Sequence, residues 1–73
     1  MKHTIVAELV GNVAAVSVRG GDTVSATDTV VLLESMKMEI PVLAEVAGVV
    51  TEVAVTAGDV VQEGDVIAVI DQD

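Results

Sequence analysis

Small apolar residues, mostly valine, alternate with polar ones over short spans, and clusters of Gly, Ser, Thr and Asp separate those spans. A period of two puts alternate side chains on opposite faces of an extended strand. Short strands are therefore predicted near 3–9, 12–18, 29–35, 38–44, 48–55 and 65–71, with brief extended pieces around Val24 and Val61. Turns fall at "RGGD", "SATD", "TAGD" and "QEGD", where Gly permits positive φ and Asp can bond its own backbone. No segment longer than a turn shows the helical period.

The pattern occurs twice. Residues 11–34, "GNVAAVSVRGGDTVSATDTVVLLE", align without gaps on residues 48–71, "GVVTEVAVTAGDVVQEGDVIAVID", at an offset of 37 and with eight identities in 24 positions. The spacing Val13, Val16, Val18 breaks alternation once, and Val50, Val53, Val55 breaks it at the same place, as a bulge would. Two four-strand units, neither able to bury its apolar face alone, are expected to pack about a pseudo-twofold axis. The predicted fold is all-β: a flattened antiparallel β-barrel or sandwich of two four-stranded sheets with a pseudo-twofold internal repeat. Val16 and Val53 are expected at equivalent places in the shared core.

Composition narrows this further. At 73 residues the chain is read as a single domain, 1–73, with repeat halves at about 4–36 and 41–73. It is 52% apolar but has no aromatic residue, so the core must be thin and built from branched aliphatic side chains. Without cysteine there are no disulfides or thiolate metal sites, which fits a reducing compartment. The opening "MKHTIVAELV" meets Glu8 before a long apolar run develops, and reads neither as a secretory signal nor as a membrane span. A cytoplasmic, monomeric protein is expected. A net charge of −9 argues against nucleic acid and anionic membrane as partners and favours a basic docking face on any protein partner.

The chemistry concentrates in "VVLLESMKMEIPVLAEV", residues 30–46. Lys37 lies between the strand ending near Ser35 and the one beginning at Met38, so a tight hairpin places Met36 and Lys37 at its tip. The corresponding place in the second repeat falls just past Asp71. A lysine on a rigid hairpin has a defined base and a free head, which suits an enzyme that must acylate one lysine and ignore others. The other lysine, Lys2, is read as part of an untethered terminal segment without methionines on both sides. Free lysine has a pKa of about 10.4, so the acyl donor must arrive already activated.

"ESMKMEI" resembles the Ala-Met-Lys-Met signature of biotin-carrier domains, and the Gly-Asp-x-Val turns on both sides resemble those of the biotinyl/lipoyl-attachment family. Met36, Lys37 and Met38 match the last three motif positions, and Ser35 stands where the family usually has Ala. The resemblance covers nearly the whole chain and is similar to that of small stand-alone biotinylated proteins. It implies a hammerhead-like barrel whose Lys37 is joined covalently to biotin by a biotin protein ligase. The biotin then carries CO2 between the biotin carboxylase and carboxyltransferase components of a biotin-dependent carboxylase. On this reading the protein is not an enzyme but a carrier and a substrate of the ligase.

Alternatives remain beside this reading. A lipoyl-type carrier shares the fold and the hairpin lysine, but its usual context is Asp-Lys-Ala rather than Met-Lys-Met. The third possibility is an unmodified small β-module used for binding. Met36 and Met38 are either apolar filling or recognition elements, and adjacent residues at a tip cannot both point inward. Glu34, Ser35 and Glu39 complete the modification-recognition set, although the two glutamates also read as a solvated rim. Asp22, Asp28, Asp59 and Asp65 recur identically in both repeats, which favours turn bonding over a metal site. His3 is expected to be a solvated side chain. No nucleophile–base pair, acid pair or phosphate loop supports catalysis, and no catalytic or metal-binding residue is assigned.

Overall fold

Each alternating segment becomes a strand in the computed structural model, which describes residues 1–72. In chain order these are β1 (Lys2–Val6), β2 (Gly11–Val16), β3 (Thr23–Val24), β4 (Thr29–Ser35), β5 (Met38–Leu43), β6 (Gly48–Val53), β7 (Val60–Val61) and β8 (Val66–Asp71). Three strands stop two or more residues before their predicted ends, β1 at Val6, β2 at Val16 and β6 at Val53. At Ala7 the backbone turns to the 62–65 loop instead: its N–H donates to the Asp65 carbonyl and its own carbonyl accepts from Gly64, both at 2.8 Å. Among the described residues no helix is long and apolar enough to cross a membrane.

The strands form two four-stranded antiparallel sheets, ordered β1-β8-β6-β3 and β5-β4-β2-β7. Moving β1 and β3 forward and β8 and β6 back by the 37-residue offset converts the first order into the second, so the repeat is a pseudo-twofold of the fold. Neither sheet belongs to one half: each takes two strands from the first repeat and two from the second. The halves therefore cannot separate without breaking both ladders.

The shared irregularity is a bulge in each half. Pairing with the neighbouring strand slips between Val13 and Ala15 in β2, and between Val50 and Glu52 in β6. The extra residue changes which face the following side chains occupy. Val13 and Val50 accordingly lie in the core, at 2% and 0% exposure, whereas Val16 and Val53 are half-buried and only flank it. The expected core placement of Val16 and Val53 is thus corrected. They are equivalent to each other, but the core pair is Val13 and Val50. Val13→Ala and Val50→Ala should each cost about 1–3 kcal/mol, and Val16→Ala and Val53→Ala less than the core substitution in the same strand. Urea midpoints followed by far-UV circular dichroism would rank them.

The core between the sheets is aliphatic throughout, with Ile5, Leu33, Ile67 and Ile70 its largest fully buried side chains and no buried polar residue among the described residues. Close strand approach sets the need for glycine at one repeated position. A Cβ on Gly11 would stand 2.8 Å from the Glu34 carbonyl oxygen, and one on Gly48 would collide with the Asp71 carbonyl. The four turns share one bonding pattern. Asp22, Asp28, Asp59 and Asp65 accept the backbone N–H of the residue three before, at 2.8–3.0 Å, and return their own N–H to that residue's carbonyl at 3.0–3.1 Å. Their carboxylates serve their own turns.

Candidate functional site

The hairpin linking β4 and β5 closes on the pair Ser35–Met38, which leaves Met36 and Lys37 as a two-residue turn. Both have positive φ, 52° and 66°, as the primed hairpin turns with two left-handed residues require. Asn-Gly is the preferred occupant of such a turn because a Cβ is strained there. Elsewhere the chain gives most positive-φ positions to glycine, at Gly21, Gly58 and Gly64. Here it keeps two long side chains at a local energetic cost, an arrangement that accompanies functional tips.

The tip is well presented. Met36 is 92% exposed and Met38 62%, so both methionines face solvent rather than fill the core. Lys37 is exposed and makes no hydrogen bond or ion pair among the described residues. The base is braced where Ser35 Oγ donates to the Val10 carbonyl at 2.8 Å, tying the hairpin to the β1–β2 loop. Met36→Asn should relieve the strained turn, raising stability by about 0.5–1 kcal/mol. The same change should slow modification of Lys37, and a ligation assay run beside urea denaturation would read both effects.

Glu34 and Glu39 sit directly opposite one another on the two hairpin strands, both exposed. Their row continues across the sheet through Asn12 to Val60. Like charges directly opposite in a sheet are unfavourable, and no cation of the described residues pairs with either glutamate. The pair is therefore an anionic feature open to an outside partner.

Two sequence expectations need correction. Lys2 is not in an untethered segment but in β1, paired with Asp71 of β8, because its neighbours share the strand's alternation. His3 is not simply solvated: its Nε2 lies 2.8 Å from Glu45 Oε1, and its side chain is only 33% exposed. Glu45 itself has φ 71° and donates its N–H to the Ala26 carbonyl. Nothing in the local sequence marks Glu45, since His3 approaches it from a strand 42 residues away.

A two-sheet aliphatic body that offers an exposed lysine on a strained hairpin tip has the form of a carrier module. Comparison with known proteins agrees. A family described as "Biotin-requiring enzyme" matches residues 1–70. A biotinylated protein TB7.3 homolog of Mycolicibacterium smegmatis is 61% identical over 43 residues, 59% of this chain and 61% of that protein. The alignment thus spans about three fifths of that relative's length. In the urea carboxylase of Kluyveromyces lactis, a segment covering 97% of this chain and 6% of that one superposes with a TM-score of 0.91 at 34% identity. The lipoyl domain of the 2-oxoglutarate dehydrogenase complex from Azotobacter vinelandii superposes with a TM-score of 0.74 at 27% identity, over 92% of this chain and 95% of that one. The chain belongs to the family described as "Biotin-requiring enzyme", and its fold is that of the biotinyl- and lipoyl-attachment domains.

Proposed function

We propose that Lys37 is the residue that takes the biotin, as the substrate of a biotin protein ligase, and that the loaded chain serves a biotin-dependent carboxylase. The observation that carries this reading is the tip itself: two non-glycine residues in left-handed backbone, with the lysine amine unpaired. The exposed site suits an amide-linked biotin, because nothing in the fold must be displaced to form the link. The Lys37 amine, once deprotonated, attacks the carbonyl carbon of an activated acyl donor held by the ligase. A C–N amide bond forms, the donor's leaving group departs with the electron pair of the broken bond, and the amine gives up a proton. Biotin, when attached, supplies a ureido nitrogen able to accept a carboxyl group.

The chain's own residues then act as a handle. The paired strands β4 and β5 hold the base of the arm, Ser35 braces it, and Met36 and Met38 offer a flat apolar rim around the lysine. Glu34 and Glu39 complement a basic docking face. Attachment of biotin to the M. smegmatis relative and the carboxylase context of the K. lactis structure support this choice over a lipoyl role. Met36 and Met38 favour it too, since they stand where a lipoyl context has Asp and Ala. The reading extends to a monomer working in the cytoplasm.

Intact mass after co-expression with a biotin ligase tests the reading. A single addition of the biotinyl mass is the expected result. No addition with biotin ligase, or addition by a lipoate ligase instead, would overturn it.

A further inference from the structure

The two halves of the fold are not equivalent everywhere, and the difference opens a cleft of about 250 Å³ on the side of the lysine hairpin. Its walls are Leu33, Ile40 and Val42 from β4 and β5, facing Val6, Glu8 and Leu9 from the end of β1 and the loop after it. The 37-residue offset carries Ile40 back to His3 and Glu8 forward to Glu45. In the second location His3 Nε2 meets Glu45 Oε1 at 2.8 Å, and Ile5, the counterpart of Val42, is 1% exposed. There a ring nitrogen meets the carboxylate. On the hairpin side Ile40 supplies no donor, Ile40 and Val42 stay half-buried, and Glu8 makes no hydrogen bond or ion pair among the described residues. Glu45 also borders this cleft, so its aliphatic walls are met by two carboxylates in a chain of net charge −9.

We propose that this cleft seats a basic side chain, Lys or Arg with aliphatic neighbours, from the surface of the enzyme that modifies Lys37. The long stem of such a residue would cover Leu33, Ile40 and Val42 while its head meets Glu8, as the imidazole of His3 meets Glu45. The modifying enzyme is the occupant favoured here because before modification it has only the protein body to recognise, whereas an enzyme acting on attached biotin also has the biotin to hold. A body with pseudo-twofold symmetry presents two similar edges, β1 and β5, and the cleft marks the one that leads to Lys37.

This inference rests on the ligase reading above, and steady-state biotin transfer to Lys37 by the biotin protein ligase of the same organism separates the two. Wild type, Glu8→Gln, Glu8→Lys and Glu52→Lys would be compared, with far-UV circular dichroism confirming the fold of each. Glu52 is an exposed residue of β6 outside the cleft, so Glu52→Lys makes the same charge change elsewhere. Glu8→Lys should raise KM at least about tenfold with kcat unchanged, Glu8→Gln should fall between it and wild type, and Glu52→Lys should shift KM by less than about twofold. Equal effects of Glu8→Lys and Glu52→Lys would mean a diffuse field and no seat. Unchanged KM in Glu8→Lys, with wild type still labelled, would overturn the cleft proposal alone. Failure of wild type to be labelled would overturn the ligase reading and this inference with it.

Discussion

Lys37→Arg is expected to abolish biotinylation completely while leaving the fold intact. Arginine keeps the positive charge and a similar stem, so the exposed tip loses no packing and its backbone strain is unchanged. What it loses is the nucleophile: a guanidinium stays protonated and is not acylated as an amine is. Lys2 does not substitute, because its backbone is paired with Asp71 inside β1 and it has an exposed methionine, Met1, on one side only, with His3 on the other. Streptavidin blotting and intact mass after co-expression with the ligase would both read zero incorporation. Labelling equal to wild type would move the site elsewhere.

Leu33→Ala and Ile70→Ala should be the most damaging substitutions in the core, at about 2–5 kcal/mol each. The two positions are related by the 37-residue offset and are 1% and 0% exposed, so neither truncation can be refilled by solvent-side rearrangement. For a chain of 73 residues total stability is on the order of 4–11 kcal/mol, which makes either loss a large share of the whole. The costs should also be similar. Leu33 and Ile70 lie in the second strands of their sheets, β4 and β8, which pseudo-symmetry makes counterparts. With no aromatic residue the chain reports unfolding through far-UV circular dichroism or amide exchange rather than fluorescence. A severe effect at one site and none at the other would show that the halves do not share one core.

Several features were legible before any coordinates because they are local. Alternation along a strand states which side chains must leave water, and that requirement travels with the segment. The bulges of β2 and β6 follow from the single break after Val13 and after Val50. The two-residue tip follows from where the β4 pattern stops and the β5 pattern begins, and the aspartate turns follow from their repeated spacing. The chain by itself therefore determined an all-β body, its internal repeat and a lysine at a hairpin tip.

Other features depended on which strand lies beside which. An alternating strand is satisfied by many partners, so the pattern says nothing about β1 pairing with β8 or about each sheet taking strands from both halves. That choice turns Ser35 Oγ toward Val10. It also brings His3 to Glu45 while leaving Ile40 beside an unpaired Glu8. In sequence His3 and Ile40 stand at offset-related positions as a polar and an apolar residue, but nothing along either strand says which residue each one meets. Only the tertiary structure decided where the repeat is broken, because a long-range hydrogen bond or an open cleft depends on the side chain facing a residue across space, and alternation along one strand carries no record of that neighbour.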